Sequence, residues 1–115
     1  MTHLIEIRSI NLLPGTRGAF QKLYIETALP LLLRWNFDVL AHGPSLHDED
    51  TYYVIRRFDS LAHREQTEET YYASDDWRKG PREAIMAMID TYTDIVLELD
   101  DETVERLRAK TSPGA

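Results

Sequence analysis

The chain reads as an α+β domain with its elements in the order β-α-β-β-α-β and the second helical region split in two. Three observations point there. Residues 51–58 are dominated by β-branched and aromatic side chains, as a strongly packed strand requires. Residues 91–99 alternate with a period of two. Between them lie two helical pieces, each opened by a serine, Ser60 and Ser74, whose hydroxyl can accept amide hydrogen bonds. A length of 115 residues fits one domain.

In chain order, residues 4–10 form the first strand, with Ile5 and Ile7 on one face and Glu6 and Arg8 on the other. A turn at Pro14-Gly15 closes it. Phe20, Leu23, Tyr24, Thr27 and Leu31 recur at helical spacing and predict an inward stripe. Pro30 lacks an amide proton and crowds the carbonyl of Glu26, so a kink is expected there. Residues 35–40 are expected to start the second strand, which can run on through Ala41 and His42 to Gly43. An acidic turn, 47–50, leads into the strand at 51–58. The helix after Ser60 runs to about Tyr72. The piece after Ser74 is interrupted at Gly80-Pro81 and resumes with an apolar stripe of Ala84, Ile85, Met88 and Ile89. The domain proper is expected over 1–99. Residues 100–115 add a short acidic helix, with Val104 and Leu107 as its inward edge, and a frayed tail from 111.

The formal charge is −7, and no basic cluster offsets it, so nucleic-acid phosphates and anionic lipid are poor partners. No apolar run is long enough to span a bilayer, and no membrane association is expected. The absence of cysteine excludes disulfides, thiolate catalysis and cysteine-ligated metal centres. No signal-peptide pattern opens the sequence, and a cytoplasmic protein is expected. A domain of this size leaves little room for a large cavity within one subunit.

Two helices cover only one face of a four-stranded sheet. Tyr92, Asp94, Val96 and Glu98 are expected on the other, with a central strand of mixed parity, so that face is half apolar. Such a surface favours a homodimer, with a pocket enclosed between the two sheets.

Arginine in a central strand calls for an acid, a ligand or the rim. Arg8, Arg56 and Arg57 are therefore candidate anion-binding residues, with salt bridges to Glu6, Asp94 or Glu98 as the structural alternative. Arg56 and Arg57 point to opposite faces. His42, at a strand end, and Asp94 are candidate general bases. Tyr53, Tyr92 and Trp77 are candidate ligand contacts, and Tyr71 and Tyr72 with Trp77 either form a pocket mouth or lock the two helical pieces together; core packing accounts for most such aromatics. The four histidines, His3, His42, His47 and His63, have no metal-ligand spacing. No metal or cofactor is expected, and the expected ligand is a small aromatic or anionic molecule.

The chain resembles the NIPSNAP family, within the dimeric α+β barrel group. The resemblance rests on Glu6-Ile7-Arg8, Leu13-Pro14-Gly15, Leu29-Pro30, Arg57-Phe58-Asp59-Ser60-Leu61-Ala62-His63-Arg64 and Ser74-Asp75-Asp76-Trp77. It covers roughly residues 4–99. It implies a ferredoxin-like subunit that dimerises through its sheet. Relatives in the wider group include cofactor-free oxygenases, haem-degrading enzymes and small-molecule isomerases. The NIPSNAP branch implies no settled reaction and no catalytic set. The sequence departs from the family pattern at Ile5 and at Arg56, where aromatic or apolar residues are common. The resemblance therefore leaves two readings: a small-molecule enzyme, such as a cofactor-free monooxygenase or isomerase, or a noncatalytic ligand-binding or interaction domain.

Overall fold

The computed structural model describes residues 1–111. Strand β1 (Thr2–Leu12) leads into a helix in three parts: α1 (Arg17–Leu23), a π-helical turn (Tyr24–Ala28) and α2 (Leu29–Arg34). Next come β2 (Asp38–Pro44) and β3 (Thr51–Phe58), then α3 (Leu61–Tyr72), α4 (Asp75–Arg78) and α5 (Arg82–Met86). β4 (Ile89–Asp100) and α6 (Asp101–Thr111) complete the chain. The strands form one antiparallel sheet in the order β2-β3-β1-β4, the ferredoxin-like arrangement expected from the element order. The frayed tail expected from 111 falls, beyond Thr111, outside the described residues.

The first helix shows what Pro30 does. With no amide proton to give, it sits in the first turn of α2, directly after the wide π turn. The extra residue in that turn changes the inward face. Phe20, Tyr24, Ala28 and Leu32 are buried at a spacing of four, whereas the predicted Thr27 is exposed and Leu31 only half-buried. Residues 35–37, expected to open the second strand, instead finish the helix. Asn36 takes a positive φ of 66°. The Phe37 amide returns to the Leu32 carbonyl (3.0 Å) and the Asn36 amide to Leu33 (3.1 Å), a Schellman closure. Ser60 and Ser74 cap α3 and α4, accepting from the amides of His63 and Trp77.

The helices pack on one face of the sheet around Phe20, Tyr24, Leu32, Phe37, Tyr52, Val54, Phe58 and Tyr71. α6 crosses the other face, where Val104 seals Ile5 and Leu40. Arg108 fixes α6 with a two-pronged hydrogen bond to Asp38 (2.8 and 2.9 Å).

Register decides which charges go where. Glu6 stands opposite Arg56 and Val96, Arg8 opposite Val54 and Asp94, and Ile10 opposite Tyr52 and Tyr92. All of these lie on the helix side. Tyr92, Asp94, Val96 and Glu98 thus lie on the side opposite to the one expected. The polar parity of β1 turns inward because partners of opposite charge await it there. The outer face carries Ile5, Ile7, Ile55, Ile95 and Leu97. Ile5 is covered by α6, but Ile95 stays 60 % exposed.

Candidate functional site

Beneath α3, the sheet buries a lattice of six ionisable groups. Arg56, from the middle of β3, donates through Nε and Nη2 to Glu6 Oε1 (2.9 and 2.5 Å). Arg64, from the first half of α3, donates to the other oxygen, Glu6 Oε2 (2.6 Å), and to Asp94 Oδ2 (3.1 Å). Arg8 forks onto Asp94 through Nε and Nη2 (2.8 and 3.0 Å) and reaches Glu68 Oε1 (3.4 Å). The Tyr72 hydroxyl accepts from Arg56 (3.1 Å) and Arg8 (3.4 Å). Ring faces flank the guanidiniums: Arg8 lies 4.6 Å over Tyr92 and Arg56 4.9 Å over Phe37.

Glu6 and Arg56 are almost wholly buried. Burial alone would push the Glu6 carboxyl up. The hydrogen bond with Glu68 and the guanidiniums of Arg56 and Arg8 outweigh it and hold Glu6 at about 2. Glu68 goes the other way. Burial, then the Glu6 carboxylate beside it, pushes Glu68 up to about 7 despite Arg56 and Arg8. Two neighbouring carboxyls in a low-dielectric site therefore divide one proton unequally, and Glu68 keeps it. Its Oε2 is buried and receives no hydrogen bond. Arg64 Nε stands 3.1 Å away but commits its hydrogen to Glu6. That geometry suits an oxygen that carries a proton.

Glu68, Arg8 and Arg56 line a cavity of about 310 Å³ between the sheet and the helices. The pocket lies inside one subunit, not between two sheets. Its room comes from the first helix: small Ala28 faces it, and the short pieces α4 and α5 bridge its far side through Trp77 and Ile85. Tyr24 and Tyr71 also line it, and both hydroxyls are buried with no hydrogen-bond partner. Burial pushes both phenols above their ordinary range. Buried hydroxyls rarely go unpaired, which sets these two phenols apart among the residues that line the cavity.

Arg8, Arg56, Tyr92 and Trp77, candidates from the sequence, meet at this cavity, and Asp94 anchors Arg8 at its edge. Arg57 and Tyr53 lie on the outer face, Arg57 at ion-pair distance from Asp38 and Asp59. Odd parity on β3 sends them there. His42 lies on the helix side but behind Tyr24, with ring centroids 5.1 Å apart, and its Nδ1 meets the Tyr52 hydroxyl at 2.7 Å. Burial lowers its affinity for a proton. Sequence reasoning missed Arg64 and Glu68 as site residues. The signal was present: α3 has no continuous apolar stripe, and its positions 64, 68 and 72 form a polar one at helical spacing.

Oxygens of Glu6, Glu68 and Asp94 lie within 4.8 Å of one another, a metal-like grouping. Three guanidiniums already pair with them, so their charge is met and a divalent cation would have to displace an arginine.

No family model matches the chain, and no curated protein matches it in sequence. Solved structures do match in fold. An uncharacterized NIPSNAP domain protein from Burkholderia xenovorans superposes with a TM-score of 0.76 at 16 % identity, covering 85 % of this chain and 95 % of that one. A NIPSNAP family protein of unknown function from Agrobacterium tumefaciens gives 0.78 at 17 % identity, covering 84 % and 87 %. A putative antibiotic biosynthesis monooxygenase from Bordetella bronchiseptica gives 0.64 at 18 % identity, covering 88 % and 98 %. The chain has the ferredoxin-like α+β fold that these proteins share.

Proposed function

We propose that this protein is a NIPSNAP-type small-molecule enzyme whose cavity binds a mainly apolar compound with an acidic C–H or O–H, and that Glu68 carries the proton. One observation carries the reading: a cavity-lining carboxyl raised to about 7, with a buried oxygen that accepts from nothing. A general acid-base group works best with an affinity near ambient pH. Glu68 takes the proton in its ionised form and returns it in its neutral form. Arg8 and Arg56 supply the field that stabilises an enolate or phenolate, and the free hydroxyls of Tyr24 and Tyr71 can donate to its oxygen. Asp94 positions Arg8. His42 supports Tyr24 and Tyr52 from behind.

Moved within one substrate, the proton gives isomerisation. With a substrate whose carbanion reacts with dioxygen unaided, the same first step opens a cofactor-free oxygenation; the Bordetella fold neighbour is named a putative monooxygenase. The working unit in this reading is a cytoplasmic homodimer joined through Ile7, Ile55 and Ile95 of the outer face. A noncatalytic binding role has one observation in its favour: every guanidinium of the lattice already has carboxylate partners.

The test uses 2-tetralone, a bicyclic ketone with an acidic C–H, in heavy water, followed by proton NMR. The wild-type protein should speed deuterium entry at that carbon, rising through about pH 7. Glu68→Gln should lose about a hundredfold or more of the acceleration. Binding of the ketone with no acceleration by the wild type would assign the cavity to binding alone.

A further inference from the structure

The cavity has a polar neighbour unlike its own interior. Tyr72 and Arg82 line both the cavity and a shallow polar recess beside it, completed by Asp75, Arg78 and Lys79. The two spaces therefore adjoin along one wall. Three cations and one carboxylate meet in the recess, and that carboxylate stands 3.4 Å from Lys79. Arg78 and Arg82 have no carboxylate at ion-pair distance among the described residues. On a chain of net charge −7, the lining of this recess carries a local excess of positive charge beside an aromatic cavity.

The fold presents these cations together. Gly80-Pro81 breaks the helical region between α4 and α5. A Cβ at Gly80 would stand 2.2 Å from the Asp76 carbonyl oxygen, so only glycine permits so close a return of the chain. That return brings Arg78, at the end of α4, and Arg82, at the start of α5, to one recess while Trp77 and Ile85 turn into the cavity.

Resting on the reading of the cavity as a small-molecule site, we propose that its ligand is two-part: an aromatic or alicyclic body in the cavity, and an anionic group, carboxylate, sulfonate or phosphate, held in the recess by Arg82 with Arg78. The interior supplies the first part of the match. Its wall of Phe20, Leu32, Val54, Trp77 and Ile85 takes an apolar body, and a volume of about 310 Å³ stands at the lower end of small-molecule sites. The lattice arginines are already committed to Glu6 and Asp94, so a permanently charged group finds its counter-charge in the recess, not at the floor. Arg82 is the specificity-determining residue because it alone among these cations lines both spaces.

Two fluorescent probes with the same rings separate the two parts. N-phenyl-1-naphthylamine is neutral, and 8-anilino-1-naphthalenesulfonate carries the anion. The folded wild-type protein should bind both, the sulfonate about fivefold or more tightly, as an exposed charge pair allows. Raising salt should shrink that preference. Arg82→Met should abolish the preference, read as the ratio of the two affinities in the same variant, and Arg82→Lys should restore part of it. A preference that survives Arg82→Met overturns the proposal while leaving the cavity reading intact. Failure of the neutral probe to bind, with an unshifted melting curve, overturns the cavity reading and the two-part ligand with it.

Discussion

Glu68 links the site to the stability of the protein. Its carboxyl is raised from an ordinary 4.5 to about 7 in the fold. Between those values the folded chain binds a proton that the unfolded chain has released. Stability from this group is therefore present below about pH 4.5 and is lost as pH rises through about 7. Glu6, held at about 2, runs in the opposite sense but does so below this window, losing its contribution as pH falls toward 2. The difference between two proteins that differ only at Glu68 is the useful quantity. Relative to Glu68→Gln, the wild type should lose stability steadily from pH 4.5 to 7 in urea unfolding. A flat difference would mean that Glu68 ionises normally and carries no retained proton.

At the scale of elements, the joint between α4 and α5 makes the sharpest demand on sequence. Gly80→Ala drives a Cβ into backbone and should cost about 1–3 kcal/mol. Gly18→Ala, in α1 with open space around it, should gain about 1 kcal/mol. Thermal unfolding of the two variants checks both signs. Most elements were legible in the sequence: β3 from its branched and aromatic run, α3 and α4 from their serine caps, and α6 from Val104 and Leu107. Three features were not. The π turn shifts the buried set from Thr27 and Leu31 to Ala28 and Leu32, which a fixed 3.6-residue period cannot anticipate. The exit at Asn36 looks like strand because Trp35 and Phe37 are strand-forming residues, and the closure depends on one positive φ. The inward turn of Glu6 and Arg8 defies the usual rule that polar parity faces water. It becomes visible only when β3 and α3 bring Arg56 and Arg64 to the same place. The candidate site was therefore half legible: its strand arginines stood out, while the acid that they surround lay on a helix that reads as solvated.

Across the whole molecule, the two sides of the sheet divide the work. The helix side holds the charges and the cavity. The outer side is apolar and only partly covered, since α6 protects Ile5 and Leu40 but leaves Ile95 open. If a second copy completes that surface, Ile95→Lys should place a cation in an apolar contact and convert a dimer into a monomer in sedimentation velocity. The cavity, lying within one subunit, should still bind the neutral naphthylamine probe. An unchanged sedimentation coefficient would remove Ile95 from any self-association.

The opposed pairs along β1 also act as a lock on alignment. A one-residue slip of that strand would turn Glu6 and Arg8 outward and bring Ile5 and Ile7 against α3. Arg56 would then be entombed without its counter-ion, an error far costlier than a misplaced methyl group. The same ionisable groups that shape the chemistry thus tell the chain when its strands have met in the right order, and a misaligned sheet cannot close over them.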